Sequence, residues 1–144
     1  MSRSRMRTIA TLAAVTGLAV SGLAAAAAPA FAAGKPVVID CKGKGVAKPK
    51  DIVLACADAN VAVTGLKWTS WTANAAKGSG TLSWNPCIPT CVAGKAETFP
   101  VKVTLGRLAS GGGLDVFSGM TLAFPKGGPT GEKTSTYLLD NPAR

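Results

Sequence analysis

The 144-residue chain contains no histidine. That absence removes Ser-His-Asp and Cys-His catalysis, two-histidine metal sites and the H-E-x-x-H zinc motif. Acids are scarce too, seven against 16 basic residues. They are Asp40, Asp51, Asp58, Glu97, Asp115, Glu132 and Asp140, and most flank loops or strand ends. Carboxylate-dependent glycoside hydrolysis needs two acids facing one another across a cleft, and no such cluster is visible. No phosphate loop or dinucleotide fingerprint occurs; the glycines at 111–113 lack a strand-to-helix context. Beyond residue 33 no amphipathic helical period of useful length is found; Asn74 to Gly78 could form at most a single turn. The chain therefore reads as a protein that is not an enzyme.

What is there begins with an export pattern. Arg3, Arg5 and Arg7 precede an uncharged run from Thr8 to Ala28, and Ala30-Phe31-Ala32 supplies an A-x-A cleavage site. The three parts read as a secretory signal peptide over 1–32, leaving one secreted domain over 33–144. The rival is an uncleaved anchor, since about 20 apolar residues can span a bilayer. The weakly apolar alanines and the cleavage site favour removal. No second segment could span, so no membrane span is expected after processing.

Without the leader arginines, 13 basic residues face seven acids, a net charge of +6. A basic exported domain is drawn to anionic cell-wall polymers, acidic glycans or an extracellular protein, although such a charge also serves solubility alone. Lys42, Lys44, Lys48 and Lys50 concentrate it in one stretch. They are not interleaved with aromatics, so nucleic-acid binding is not expected.

Cys41, Cys56, Cys87 and Cys91 form an even set in a small exported domain, which reads as two disulfides with three possible pairings. The shortest closures, Cys41–Cys56 and Cys87–Cys91, are preferred; on the chain-entropy model they contribute about 3 and about 2 kcal/mol. The spacing does not match the paired C-x-x-C of a zinc ribbon. No metal and no cofactor is expected. The second closure forces a turn in "CIPTC", which Pro89 favours.

Short β-branched or aromatic runs at 36–40, 51–56, 66–72, 81–85, 100–108, 116–124 and 134–139 alternate with turn-rich stretches. In the fifth, Val101, Val103 and Leu105 share a face opposite Lys102 and Thr104. In the sixth, Val116, Met120, Leu122 and Phe124 point inward, and Gly119, Thr121 and Ala123 outward. About seven short strands argue for an all-β fold, an antiparallel β-sandwich, with a barrel as the lesser choice. A Cys41–Cys56 bridge is incompatible with a tight hairpin of 36–41 on 51–56, so those strands belong to different sheets stitched by the disulfide. Regular alternation puts Trp68 in the core and Trp71 outside or at a sheet edge. A β-bulge would turn both rings inward, or a loop would cover Trp71. An exposed Trp71 would be a stacking platform for a sugar or a partner. Asp58 and Asn60 read as turn residues before they read as a polar or cation site.

Several of these residues fall into a spaced pattern. Cys56, Asp58 and Asn60 fit C-A-D-x-N. Leu66, Trp68 and Trp71 fit L-x-W-T-x-W. Gly78, Gly80 and Thr81 fit G-x-G-T. Asn85, Cys87, Cys91 and Gly94 fit N-x-C-x-P-x-C-A-x-G, with Val92 in place of the alanine. Pro100, Val101, Val103 and Leu105 fit P-V-x-V-x-L. Over 51–105 the chain thereby resembles a family of small, uncharacterised secreted actinobacterial proteins. The resemblance implies export and two disulfides and brings no catalytic residue. The expected function is a secreted, non-catalytic β-domain that binds an envelope or extracellular partner. The alternative is an inhibitor of an extracellular enzyme such as a protease, with the rigid "CIPTC" loop inserted like a substrate.

Overall fold

A computed structural model describes residues 34–111 and 113–139; the leader and its cut after Ala32 lie outside them. The strands are β1 (Val38–Ile39), β2 (Gly45–Val46), β3 (Ile52–Val53), β4 (Val61–Trp71), β5 (Ala76–Trp84), β6 (Glu97–Gly111), β7 (Leu114–Ala123) and β8 (Thr134–Leu138). No helix occurs among the described residues. Strands β3 to β8 form one antiparallel sheet in sequence order, and β1 pairs with β2 in a separate two-stranded sheet. The division between sheets is thus uneven, six strands against two. The turn residues explain the neighbour-to-neighbour order. Between β4 and β5, for example, the backbone N–H of Thr72 bonds the carbonyl of Ala75 (2.9 Å) and the Thr72 hydroxyl accepts from Ala75 N (3.1 Å).

The loop expected at 73–80 is shorter than its composition suggests. Ala76 to Gly80 belong to β5, because Gly78 and Gly80 answer two irregularities in β4. The β4–β5 register slips by one residue between Thr64 and Lys67 and again between Trp68 and Ser70. Gly65 sits at φ 61° in the first slip, the left-handed conformation that a glycine bulge uses. Each slip adds one residue to β4, so its inward side chains recur as Val63, Leu66, Trp68 and Trp71, all in or against the core. A Cβ on Gly78 would lie 2.6 Å from the Lys67 carbonyl oxygen and 3.0 Å from the Trp68 ring; one on Gly80 would lie 2.9 Å from the Thr64 carbonyl. The bulged strand needs hydrogen opposite it.

Trp71 is therefore not an outer or edge residue; the bulge alternative, with both rings turned inward, is the one that holds. Trp71 is 6% exposed, and Trp68 is the half-buried one. Two bulges override the period of two on which the opposite assignment rests. The rings meet edge to face at 4.8 Å, and Trp71 meets Phe117 the same way at 5.4 Å.

Strand β6 keeps the expected alternation, with Val101, Val103 and Leu105 buried and Lys102 and Thr104 exposed. Strand β7 keeps it from Phe124 back to Met120. There the phase slips, and Phe117 rather than Val116 joins the core cluster. Val116 is buried elsewhere, bridging Val37 in parallel. Across from the slip Arg107 adopts φ 51°, and its stem covers Gly119, so that outward position is buried.

Both disulfides pair as the shortest closures, Cys41–Cys56 with Cα atoms 5.4 Å apart and Cys87–Cys91 at 3.8 Å. The first joins the β1–β2 sheet to the segment after β3, so it does stitch two sheets. Segment 36–49 packs on the inner face of the large sheet through buried Pro36, Val38 and Pro49.

Candidate functional site

The β1–β2 hairpin is shaped by one carboxylate. Asp40 Oδ1 accepts the backbone N–H groups of Lys42 and Lys44, each at 2.9 Å, and the backbone closes with Asp40 N to the Lys44 carbonyl. Those two N–H bonds hold the Asp40 carboxyl below its ordinary value. Asp51 is committed in a similar way, its Oδ1 accepting Gly65 N at 2.9 Å. The first β4 bulge frees that N–H, and it also frees Leu66 N, which bonds the Lys50 carbonyl at 2.8 Å.

Between the hairpin and the β3 segment lies a cleft of about 350 Å³. Its walls are Val38, Ile39, Val46, Pro49, Ile52 and Val53, and Lys42 and Lys50 stand among its lining residues with Asp40 and Asp51. Lys44 and Lys48 are exposed nearby in the sequence, Lys44 in the hairpin turn and Lys48 at φ 50° beside buried Pro49. The structure so places all four loop lysines on one covering segment. Trp71 is not with them on the surface. Its indole is turned inward, donating to the Pro36 carbonyl at 2.9 Å, and offers no stacking platform.

A second cluster gathers residues that the sequence spreads over 58–94. Asn60 donates to Asp58 Oδ2 (2.7 Å) and to Cys87 Sγ (3.6 Å). Asn85 donates to Asn60 Oδ1 (3.3 Å) and to the Cys91 carbonyl (2.9 Å), while its Oδ1 accepts Cys87 N (2.9 Å). Gly94 packs so closely on Asn85 that a Cβ would collide with the amide oxygen. The motif pairs C-A-D-x-N and N-x-C thus meet in one polar knot beneath the Cys87–Cys91 ring. Asp58 and Asn60 are turn and bracing residues, as their residue types suggest. Asn85, whose place before Pro86 and Cys87 reads as a turn, also braces the ring through Cys87 N and the Cys91 carbonyl. Above the knot, Ile88 is 73% and Val92 99% exposed.

Two further acids are engaged locally, Asp115 by Ser110 and Glu132 by Thr130 and Ser135. Among the described residues no group of three or more Cys, Asp or Glu side chains could hold a metal ion. Comparison with known protein families, curated proteins and solved structures finds no match to this chain.

Proposed function

We propose that the chain is exported after loss of residues 1–32 and acts outside the cell as a non-catalytic binding domain for an anionic envelope partner. The fold is read as a lopsided β-sandwich whose thin layer is the β1–β2 sheet. The supporting observation is the lysine-bearing segment 42–50 beside an open apolar cleft. Lys42, Lys44, Lys48 and Lys50 are all exposed, while Asp40 and Asp51 are tied to backbone N–H groups. A cleft with apolar walls and a few charged groups at its mouth is the usual form of a binding site. Two disulfides suit an oxidising, extracellular setting.

The test is retention on purified anionic cell wall. A variant with all four lysines changed to glutamine is expected to be retained about tenfold less, with the difference shrinking in high salt. Equal retention of the two forms overturns the assignment to this hairpin.

The inhibitor reading has one observation in its favour. Ile88 and Val92 project from a ring braced on both sides by Asn85, and bracing lowers the cost of binding. Absence of inhibition across a panel of secreted proteases at micromolar protein would remove it.

A further inference from the structure

The outer face of the six-stranded sheet carries a second, separate concentration of charge. Residues paired directly across antiparallel strands share a face. One row runs Ser70, Lys77, Thr104, Thr121 and Thr136; the next runs Lys67, Ser79, Lys102, Ala123 and Thr134. All but Ala123 are exposed. Arg107 of β6, whose stem lies over Gly119 of β7, adds a further cation. Neither of these two rows holds an acid. Between Lys67 and Lys102 lies a shallow groove of about 400 Å³, floored by Ser79, Gly80 and Thr81 and flanked by Pro100 and Pro125.

We propose that this face docks an extended polyol-phosphate chain laid across the strands. The charges in these rows are all positive, which sets the charge of the occupant. Its chemistry narrows the choice further. Every described aromatic ring, Trp68, Trp71, Trp84, Phe99, Phe117, Phe124 and Tyr137, belongs to the core side. The face has no ring on which a sugar or a nucleobase could stack. Its three lysines are compact point charges that can engage a tetrahedral phosphate from any direction. Strands lie about 4.8 Å apart, so Lys67 and Lys102 are about 10 Å apart across the groove. Ser and Thr hydroxyls between them can donate to phosphate oxygens. A single flexible chain fits such a groove; a rigid duplex touches only its rim.

The proposal does not depend on the hairpin lysines, and the experiment separates the two sites. Immobilised poly(glycerol phosphate) is the probe, with a carboxylated glycan and duplex DNA of matched charge density as the other arms. The triple variant Lys67→Gln, Lys77→Gln, Lys102→Gln is expected to bind poly(glycerol phosphate) at least about tenfold more weakly, with a shallower dependence on log salt by two to three units of slope, roughly one per lost contact. Thr121→Glu, which puts one acid in the middle of the face, is expected to weaken binding in the same direction. The hairpin quadruple variant is expected to keep this affinity. An unchanged affinity in the triple variant overturns the proposal and leaves the hairpin reading standing. Tighter binding of the carboxylated glycan or of duplex DNA than of poly(glycerol phosphate) overturns the choice of occupant. All substituted positions are exposed, and a melting temperature matching wild type confirms the fold of each variant.

Discussion

The indole N–H of Trp71 donates to the carbonyl oxygen of Pro36 across 2.9 Å, within the buried core. Trp68 does the same to Pro49 at 2.8 Å. The two tryptophans therefore hold both ends of segment 36–49, the piece that carries the β1–β2 hairpin and its lysines. They act on the candidate site from beneath, by fixing where the hairpin sits.

Their unequal burial ranks the consequences of losing them. Trp71→Phe removes the donor and leaves the Pro36 carbonyl buried without a partner, at a cost of about 1–3 kcal/mol. Trp71→Ala adds a cavity and should cost about 3–5 kcal/mol. Trp68→Phe should cost less, because that ring is half exposed. Urea unfolding checks the order, and hydrogen exchange should show residues 36–39 losing protection first in the Trp71 variants. A Trp68→Phe variant less stable than Trp71→Phe would contradict this assignment.

The glycines of β5 give a contrast within one sheet. Gly78→Ala and Gly80→Ala push a methyl against backbone carbonyls that cannot swing away. Each should cost about 1–3 kcal/mol. Gly106 is paired in β6 with nothing within 4 Å of its would-be Cβ. Gly106→Ala should be neutral or stabilise by up to about 1 kcal/mol, through the unfolded chain. Thermal unfolding of the three single variants is sufficient to see the difference in sign.

These two glycines also show what could be read from residues alone. The all-β class, the alternation of β6 and the cysteine pairing were legible, since each follows from a local period or a closure length. The facing of Trp68 and Trp71 was not. It depends on two added residues in β4, and a bulge changes the period only in relation to a partner strand. Gly65 and the Gly78–Ser79–Gly80 run resemble turn chemistry until the register shows them facing one another across a bulge. The outer basic face was hidden for the same reason. Lys67, Lys77 and Lys102 lie 10 and 25 residues apart in the chain, and only register brings them onto adjoining strands.

The two disulfides should differ in weight. Cys41 and Cys56 are 15 residues apart and join separate sheets, whereas Cys87 and Cys91 are four apart within one loop. Replacing the first pair by alanine should cost about 3 kcal/mol, more than replacing the second, whose closed loop is shorter. Denaturation midpoints of the two double variants measure this. The second pair should affect proteolysis around residues 86–94 more than it affects global unfolding.

Acid should loosen the molecule at two exposed turns. The Asp40 carboxyl is lowered by the backbone N–H groups of Lys44 and Lys42, and that of Glu132 by the Thr130 hydroxyl and then by backbone N–H bonds. A group depressed on folding adds stability above its unfolded value, 3.8 for Asp40 and 4.5 for Glu132. That stability is lost as the pH falls through the lower folded value. Asp40→Asn and Glu132→Gln should therefore lower the melting temperature near neutral pH and approach wild type in strong acid. Parallel curves for variant and wild type across the acid range would show that neither carboxylate is linked to folding.

Asn85 joins the polar knot to the exposed ring, so its removal should separate ring order from global stability. Asn85→Ala deletes the bonds to Cys87 N, the Cys91 carbonyl and Asn60 together. With Asn85 half-buried, the loss should be about 1–3 kcal/mol. Asn85→Asp keeps an acceptor for Cys87 N but loses the donor to Cys91, and it sets a second carboxylate close to Asp58. It should therefore stay near the alanine variant and recover only when the pH is low enough to protonate it. Gly94→Ala should mimic both, because its methyl displaces the Asn85 amide from the other side. Amide exchange over 86–94 is the readout. If the ring keeps full protection in all three variants, the disulfide alone orders it, and the inhibitor reading loses the bracing on which it stands.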